Sequence, residues 1–169
     1  YRYDALNRQT QEQWQDLQGQ VTRTTTRSYD AAGQLLTVSD PDASYTYSYD
    51  DDGHLLSQDN SGTAGQPHEV TVYGYDAAGR QTDATQQVNG PTVLVTTRSY
   101  DALGRLTEVA QSGSAAGAGA RVTMGYDAVG QVLSIDRYTG ASTTAAVTTR
   151  NTWDAAGRVL EIKHANGSG

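Results

Sequence analysis

The sequence predicts an all-β protein built from tandem antiparallel β-hairpins, and three observations predict it. An aromatic-Asp pair, with Gly three residues after the Asp, recurs down the 169-residue chain. The stretches before each pair alternate with period two and are rich in Thr and Tyr, which favour strands. No window sustains the 3.6-residue period of an amphipathic helix, and the Ala-rich stretches carry too many Gly and Thr for one.

The pairs are Tyr3-Asp4, Tyr29-Asp30, Tyr49-Asp50, Tyr75-Asp76, Tyr100-Asp101, Tyr126-Asp127 and Trp153-Asp154, spaced 20 to 27 residues apart. A unit repeated at that period signals an array of small elements that cannot bury their apolar faces alone and so stack on their neighbours. Residues 1–169 are therefore expected to form one array of about seven hairpins with no internal domain boundary.

Within a unit, the strand before the turn is exemplified by Tyr45-Thr46-Tyr47-Ser48-Tyr49 and Val70-Thr71-Val72-Tyr73-Gly74-Tyr75. The turn comes next. Asp at the first position of a type I turn accepts from backbone N–H groups further on, and Gly in fourth place takes the left-handed conformation that closes a hairpin with a bulge. The glycines in that place are Gly33, Gly53, Gly79, Gly104, Gly130 and Gly157; in the first copy it is Asn7, the residue type that best tolerates the same region after Gly. The returning strand is marked by apolar pairs such as Leu106 with Val109, Val132 with Ile135, and Val159 with Ile162.

The connections from one hairpin to the next vary in length. Asp16-Leu17-Gln18-Gly19 is turn-like, and Asn89-Gly90 favours the tight type I′ turn. The stretches from Ser61 to Gln66, Ser112 to Ala120 and Thr139 to Ala146 are long, small-residue-rich and expected to be mobile. One edge should be regular and the other ragged. The chain opens at Arg2-Tyr3-Asp4, inside a repeat, and reads as a piece of a longer protein; the closing Asn166-Gly167-Ser168-Gly169 suits a natural loop or an added tail.

Composition narrows the partners. The net charge is -7, and a single Lys, Lys163, stands against 11 Arg, which argues against a basic surface for nucleic acid or anionic membranes. The Arg excess suits stacking on Tyr and forked pairing with Asp. There is no Cys and no Phe, while 11 Tyr and 22 Thr are present. Disulfides and Cys-based metal sites are excluded, and Tyr suits a sheet surface that buries a ring while its hydroxyl reaches an acceptor. No apolar run approaches membrane-spanning length.

The repeat resembles the RHS or YD-repeat family over essentially the whole chain, from Arg2 to about His164. The residues that carry the resemblance are Tyr100-Asp101-Ala102-Leu103-Gly104-Arg105-Leu106, Tyr75-Asp76-Ala77-Ala78-Gly79-Arg80 and Trp153-Asp154-Ala155-Ala156-Gly157-Arg158-Val159. Gln34, His54 and Gln131 depart from it by lacking the Arg, and Gln9 and Gln81 by lacking the apolar residue that follows. The resemblance implies a curved, spiralling β-sheet, a segment of a shell that in bacterial RHS toxins, toxin-complex shell proteins and teneurin-like ectodomains encloses or displays a C-terminal polypeptide. It further implies a secreted or cell-surface, bacterial setting, and as partners the neighbouring repeats and an encapsulated toxin polypeptide. The family's self-cleaving segment is not recognisable, because Asp40-Pro41-Asp42 sits mid-array without its surroundings.

Candidate chemistry is sparse, and no catalytic residue, metal ligand or cofactor is assigned. Asp40, Asp42 and Asp50-Asp51-Asp52-Gly53 invite a cation, yet neither the EF-hand spacing nor the calcium-binding nonapeptide occurs, and turn capping is the simpler role. His54, His68 and His164 lie in different repeats, and no Gly-x-Ser-x-Gly elbow supports a nucleophile. The Gly113 to Gly119 stretch lacks the Lys-Ser/Thr ending of a phosphate loop. The Tyr ladder is read as structural, its rings packed on one face with Arg over them and Asp beside them. The alternative is an exposed aromatic strip that stacks on carbohydrate or meets a receptor. Open sheet edges also imply either self-association of the isolated fragment or burial of its ends by further repeats.

Overall fold

The computed structural model describes residues 1–114 and 119–167. They form fourteen strands: β1 (Arg2–Tyr3), β2 (Gln9–Gln15), β3 (Val21–Tyr29), β4 (Leu35–Ser39), β5 (Ser44–Tyr49), β6 (Leu55–Asp59), β7 (Glu69–Tyr75), β8 (Gln81–Val88), β9 (Thr92–Tyr100), β10 (Leu106–Ser112), β11 (Ala120–Tyr126), β12 (Val132–Thr139), β13 (Val147–Trp153) and β14 (Val159–Asn166). Among the described residues there is no helix, so none is long and apolar enough to cross a membrane. The chain divides into two compact units. One comprises Tyr1–Gly74 with Gln86–Pro91, the other Tyr75–Thr85 with Thr92–Gly169.

Within each unit the strands pair antiparallel in chain order. In the first, β2 pairs with β3, β3 with β4, β4 with β5 and β5 with β6. In the second, β9 to β14 follow the same rule. The predicted all-β hairpin fold is thus the observed one.

Each Asp-x-x-Gly turn is built the same way. The N–H of Gly104 donates to the carbonyl of Asp101 at 2.9 Å, and the N–H of Asp101 donates to the carbonyl of Arg105 at 2.9 Å. Asp101 Oδ1 accepts from the N–H groups of Leu103 and Arg105, both at 2.9 Å. Gly104 sits at φ +80°, and the register slips where the turn meets the strands, between Leu106 and Glu108. That is a type I turn closed by a glycine bulge. Asn7 takes the same left-handed place at φ +60°.

The edge opposite these turns is irregular. Asp16 to Gly19 repeats the Asp-x-x-Gly pattern, whereas Asn89 and Gly90, at φ +52° and +101°, make a type I′ turn closed by Val88 N–H on the Pro91 carbonyl at 3.0 Å. The Ser61 to Gln66 connection, expected to be loose, is tied at both flanks. Asn60 donates through Nδ2 to the Pro67 carbonyl at 3.0 Å and accepts from Glu69 N–H, and Thr63 Oγ1 exchanges hydrogen bonds with the Ser44 backbone at 2.9 and 3.0 Å. The Ser112 to Ala120 connection lies partly outside the described residues, as does Ser168-Gly169.

No apolar side chain is fully buried among the described residues; only Asn60 and Thr149 are buried. With no apolar side chain fully buried, both faces of the strands stay partly wet. One face carries the half-buried rings of Tyr45, Tyr47 and Tyr49. The other carries hydroxyls paired across strands: Ser28 with Thr37 at 2.6 Å, Ser48 with Ser57 at 2.6 Å, and Thr26 with Ser39 at 2.9 Å. Such cross-strand pairs hold register where there is no core to do so.

The turn glycines give a direct test. A Cβ on Gly130 meets nothing within 4 Å, so a change there costs backbone strain alone, at φ +92°. Gly130→Ala is expected to lower stability by about 1 kcal/mol in urea unfolding, and Gly130→Asn by less.

Candidate functional site: the junction between hairpins

The feature that recurs through the structure is a contact between successive hairpins, assembled at their turn ends. There the neighbouring hairpins part. The β3–β4 ladder continues to Tyr29 opposite Leu35, whereas the β2–β3 ladder stops at Gln11 opposite Thr26. In the second unit β11–β12 runs to Tyr126 opposite Val132, whereas β10–β11 stops at Glu108 opposite Thr123. A bulge adds local twist to its own hairpin, which turns the strand ends away from the neighbour. There the first carbonyl of the returning strand, that of Gln9 or Leu106, accepts from a side chain of the next hairpin.

The repeat aromatic occupies that wedge. Tyr29 Oη donates to the Gln9 carbonyl at 2.9 Å, Tyr49 to Leu35 at 3.0 Å, Tyr100 to Gln81 at 2.8 Å, and Tyr126 to Leu106 at 2.7 Å. Trp153 does the same through Nε1 to Val132 at 3.0 Å, joined there by Asn151 Nδ2 at 3.0 Å. The indole N–H thus replaces the phenol as donor, which explains why Trp is tolerated in the seventh copy. Each bond contributes about 0.5–1.5 kcal/mol and spares a half-buried carbonyl the larger cost of being left unpaired.

Arg closes the wedge from the turn side. Arg105 donates through Nε to Asp101 Oδ2 at 2.6 Å and through Nη1 to the backbone carbonyl of Asp127 at 2.8 Å, with its guanidinium 4.7 Å from the centre of the Tyr126 ring. Arg8 repeats the set on Asp4, Asp30 and Tyr29, and Arg80 on Asp76, Asp101 and Tyr100. Only a planar fork on a long stem reaches all three at once. Arg–ring contact at a half-exposed site adds about 0.5–1 kcal/mol.

The carboxylates of Asp4, Asp50, Asp76, Asp101 and Asp154 are correspondingly acidic. The backbone N–H of Arg8 and the guanidinium beside it hold Asp4 below its ordinary value, and Asp101 and Asp154 are lowered in the same way by Arg105 and Arg158. For Asp76 the Arg80 side chain is the first cause, and for Asp50 it is the His54 ring, which stands in the Arg place 2.9 Å from Oδ2.

Of the residues singled out in the sequence, Tyr29, Tyr49, Tyr100, Tyr126 and Trp153 lie in these wedges; Asp4, Asp30, Asp50, Asp76, Asp101, Asp127 and Asp154 head the turns that Gly33, Gly53, Gly79, Gly104, Gly130 and Gly157 close. Tyr75 ends β7 next to its turn, and Tyr3 ends β1 and is exposed. Asp40 and Asp42, weighed as cation ligands, both pair with Arg23, at 2.5 and 2.8 Å. His68 pairs with Asp59 at 2.9 Å and His164 with Thr149 at 3.0 Å, far from His54 in the chain. Among the described residues no group of three or more His, Asp or Glu is placed to hold a metal ion.

Two functional elements were not singled out in the sequence. Arg8 belongs to the Arg set, but its copy carries Asn7 and Gln9 in place of Gly and an apolar residue, which hides the alignment. The second is a groove of about 540 Å³ lined by Asp30, Gln34, Leu36, Tyr47, Tyr49 and Asp50. It lies in a repeat where Gln34 replaces Arg, and the shorter side chain reaches toward Gly53 without the guanidinium plane that elsewhere covers the ring.

Comparison with known proteins follows this geometry. A family model described as RHS Repeat matches residues 29–64, so this stretch is similar to an RHS repeat. No curated protein sequence matches the chain. Similar solved structures include the crystal structure of TcdB2-TccC3-Cdc42 (TM-score 0.49, 18% identity, 88% of this chain and 10% of that chain) and that of TcdB2-TccC3 (0.48, 19%, 88% and 10%). The Photorhabdus luminescens Tc holotoxin pore with a mutated TccC3 is a third (0.41, 13%, 99% and 12%). The chain spans about a tenth of the length of the structures it resembles.

Two substitutions test the junction. Tyr126→Phe keeps the ring and removes the bond to Leu106, and should lower stability by about 1 kcal/mol in urea unfolding. Gln34→Arg supplies the missing cover over Tyr49 and should raise it by about 0.5–1 kcal/mol.

Proposed function

We propose that this chain is a structural segment of an RHS-type β-shell, secreted or displayed at a cell surface, whose wall encloses or displays a C-terminal toxin or effector. The observation that carries the reading is the junction itself. Within each unit, successive hairpins are joined by the same aromatic–carbonyl bond, closed at three of these junctions by Arg8, Arg80 or Arg105, so the sheet extends by repetition and needs no core of its own. A polypeptide built this way is suited to be wall. Its mechanism is mechanical: continuous backbone ladders and filled wedges leave no opening through which a protease reaches a chain held behind them. On this reading the residues that matter are the turn Asp and Gly pairs, the wedge aromatics, and Arg8, Arg80 and Arg105. The structural role is also supported by the RHS-repeat match over residues 29–64.

The groove beside Tyr47 and Tyr49 favours a second reading, a carbohydrate-binding adhesion module. An aromatic face next to carboxylates is a platform on which a sugar ring stacks. The other wedge tyrosines suit this less, because Arg8, Arg80 and Arg105 lie over Tyr29, Tyr100 and Tyr126.

Limited proteolysis of the natural gene product that contains these residues tests the shell. The expected result is a protected polypeptide outside residues 1–169 that becomes cleavable when Tyr100→Ala and Tyr126→Ala open two wedges. Cleavage of all flanking sequence at the rate of a free peptide would contradict it. Glycan-array binding lost in folded Tyr49→Ala would instead favour the adhesion reading.

A further inference from the structure

We propose that the groove beside Tyr49 binds an arginine side chain of a partner polypeptide, in the place that the chain's own Arg fills at other junctions. Three junctions show what that place requires. Arg8, Arg80 and Arg105 donate through Nε to Oδ2 of their own turn Asp at 2.7, 2.7 and 2.6 Å, and lie 4.9, 4.7 and 4.7 Å from the centre of the next ring. Each also points Nη1 at the carbonyl of the next turn Asp. A guanidinium is therefore held by a carboxylate oxygen, a ring face and a carbonyl.

The same acceptors stand at the groove, where Gln34 replaces Arg. Asp30 Oδ1 accepts from the Gln34 N–H at 2.8 Å, as Asp4, Asp76 and Asp101 do in the Arg copies, but among the described residues no donor meets Oδ2. Tyr49 is fixed by its bond to the Leu35 carbonyl at 3.0 Å, and among the described residues no cation lies over its ring. Gln34 imitates Arg only at its tip. A Cβ on Gly53 would lie 3.1 Å from Gln34 Nε2, as one on Gly104 would lie 3.5 Å from Arg80 Nη1. The amide thus reaches the next turn and leaves the Asp30 oxygen and the Tyr49 ring to the groove, about 540 Å³, which Leu36, Tyr47 and Asp51 also line. The neighbouring cations are engaged, Arg8 on Asp4 and His54 on Asp50, so Asp30 and the exposed Asp51 keep the groove acidic. A planar fork serves a carboxylate and a ring face together, which an ammonium does not. A sugar uses the ring but supplies no charge opposite Asp30. The inference does not rest on the shell reading, and it gives the groove a ligand other than a carbohydrate.

Titration of the isotope-labelled chain with the peptide acetyl-Gly-Arg-Gly-amide, read from backbone amide NMR shifts, tests it. The comparisons are the same peptide with Lys or citrulline in place of Arg, and maltose. Saturable shifts are expected in residues 30–34 and 47–53, with the Lys and citrulline peptides binding at least about fivefold more weakly. Gln34→Arg fills the place from within, and Asp30→Asn removes the charge while keeping an oxygen to cap the turn. Each variant, checked for an unchanged β circular dichroism spectrum, should weaken the arginine peptide at least about fivefold. The citrulline comparison needs no variant and decides the matter even if one fails to fold. No shift with the arginine peptide, equal binding of the citrulline peptide, or a folded Gln34→Arg that binds as wild type does would each overturn the proposal. Maltose shifting these amides where the arginine peptide does not would overturn it in favour of a sugar.

Discussion

The carbonyls of Gln9, Leu35, Leu106 and Val132, which start returning strands and take a side-chain donor from the next hairpin, mark the constraint on which the rest of the structure depends. It follows from the turn. A type I turn closed by a glycine bulge twists its own hairpin more strongly than the sheet around it, so the ladder to the neighbouring hairpin ends early. At Gln9, Leu35, Leu106 and Val132 the backbone would otherwise face a gap. The aromatic before the next Asp fills that gap and donates to the carbonyl, and Arg covers the ring where Arg is present. Turn, bulge, aromatic and Arg are therefore one device, which accounts for their recurring together.

That device explains how the hairpins hold without a core. Hydrophobic burial ordinarily dominates folding, yet no apolar side chain is fully buried among the described residues. Its place is taken by many modest contributions of similar size: ring–carbonyl bonds, Arg–ring contacts, turn carboxylates accepting two backbone N–H groups, and hydroxyl pairs on the opposite face. Because these repeat, loss of one is local. Gln34, His54 and Gln131 show that a copy survives without its Arg. The groove at Tyr49 shows what such a copy leaves open, a niche between ring and carboxylate that the other repeats close for themselves.

Much of this was legible in the sequence, because hairpin formation is local. Asp at the turn start, Gly or Asn three residues later and alternating Thr and Tyr before them are short-range signals, and the strands and turns follow them closely. What is not local was not legible. Arg105 and the Asp127 carbonyl are 22 residues apart, and nothing in either residue type says that one reaches the other. Asp40 caps its own turn, as its residue type suggested, but that Arg23 on β3 pairs with both Asp40 and Asp42 could not be read from the chain. The connection after Asn60 looked loose because its composition is polar, while Asn60 and Thr63 use that polarity to pin it. The early end of the ladder between hairpins has no sequence signature at all.

The account's central claim is that polar junctions, in place of an apolar core, hold these hairpins together. The heat-capacity change of unfolding, measured by calorimetry on dilute chain, tests that most directly because it reports apolar surface exposed on unfolding. Ordinary globular proteins give about 12–15 cal/mol/K per residue. A value well below that range is the predicted result, and a value within it would show that this chain buries an ordinary core and contradict the claim.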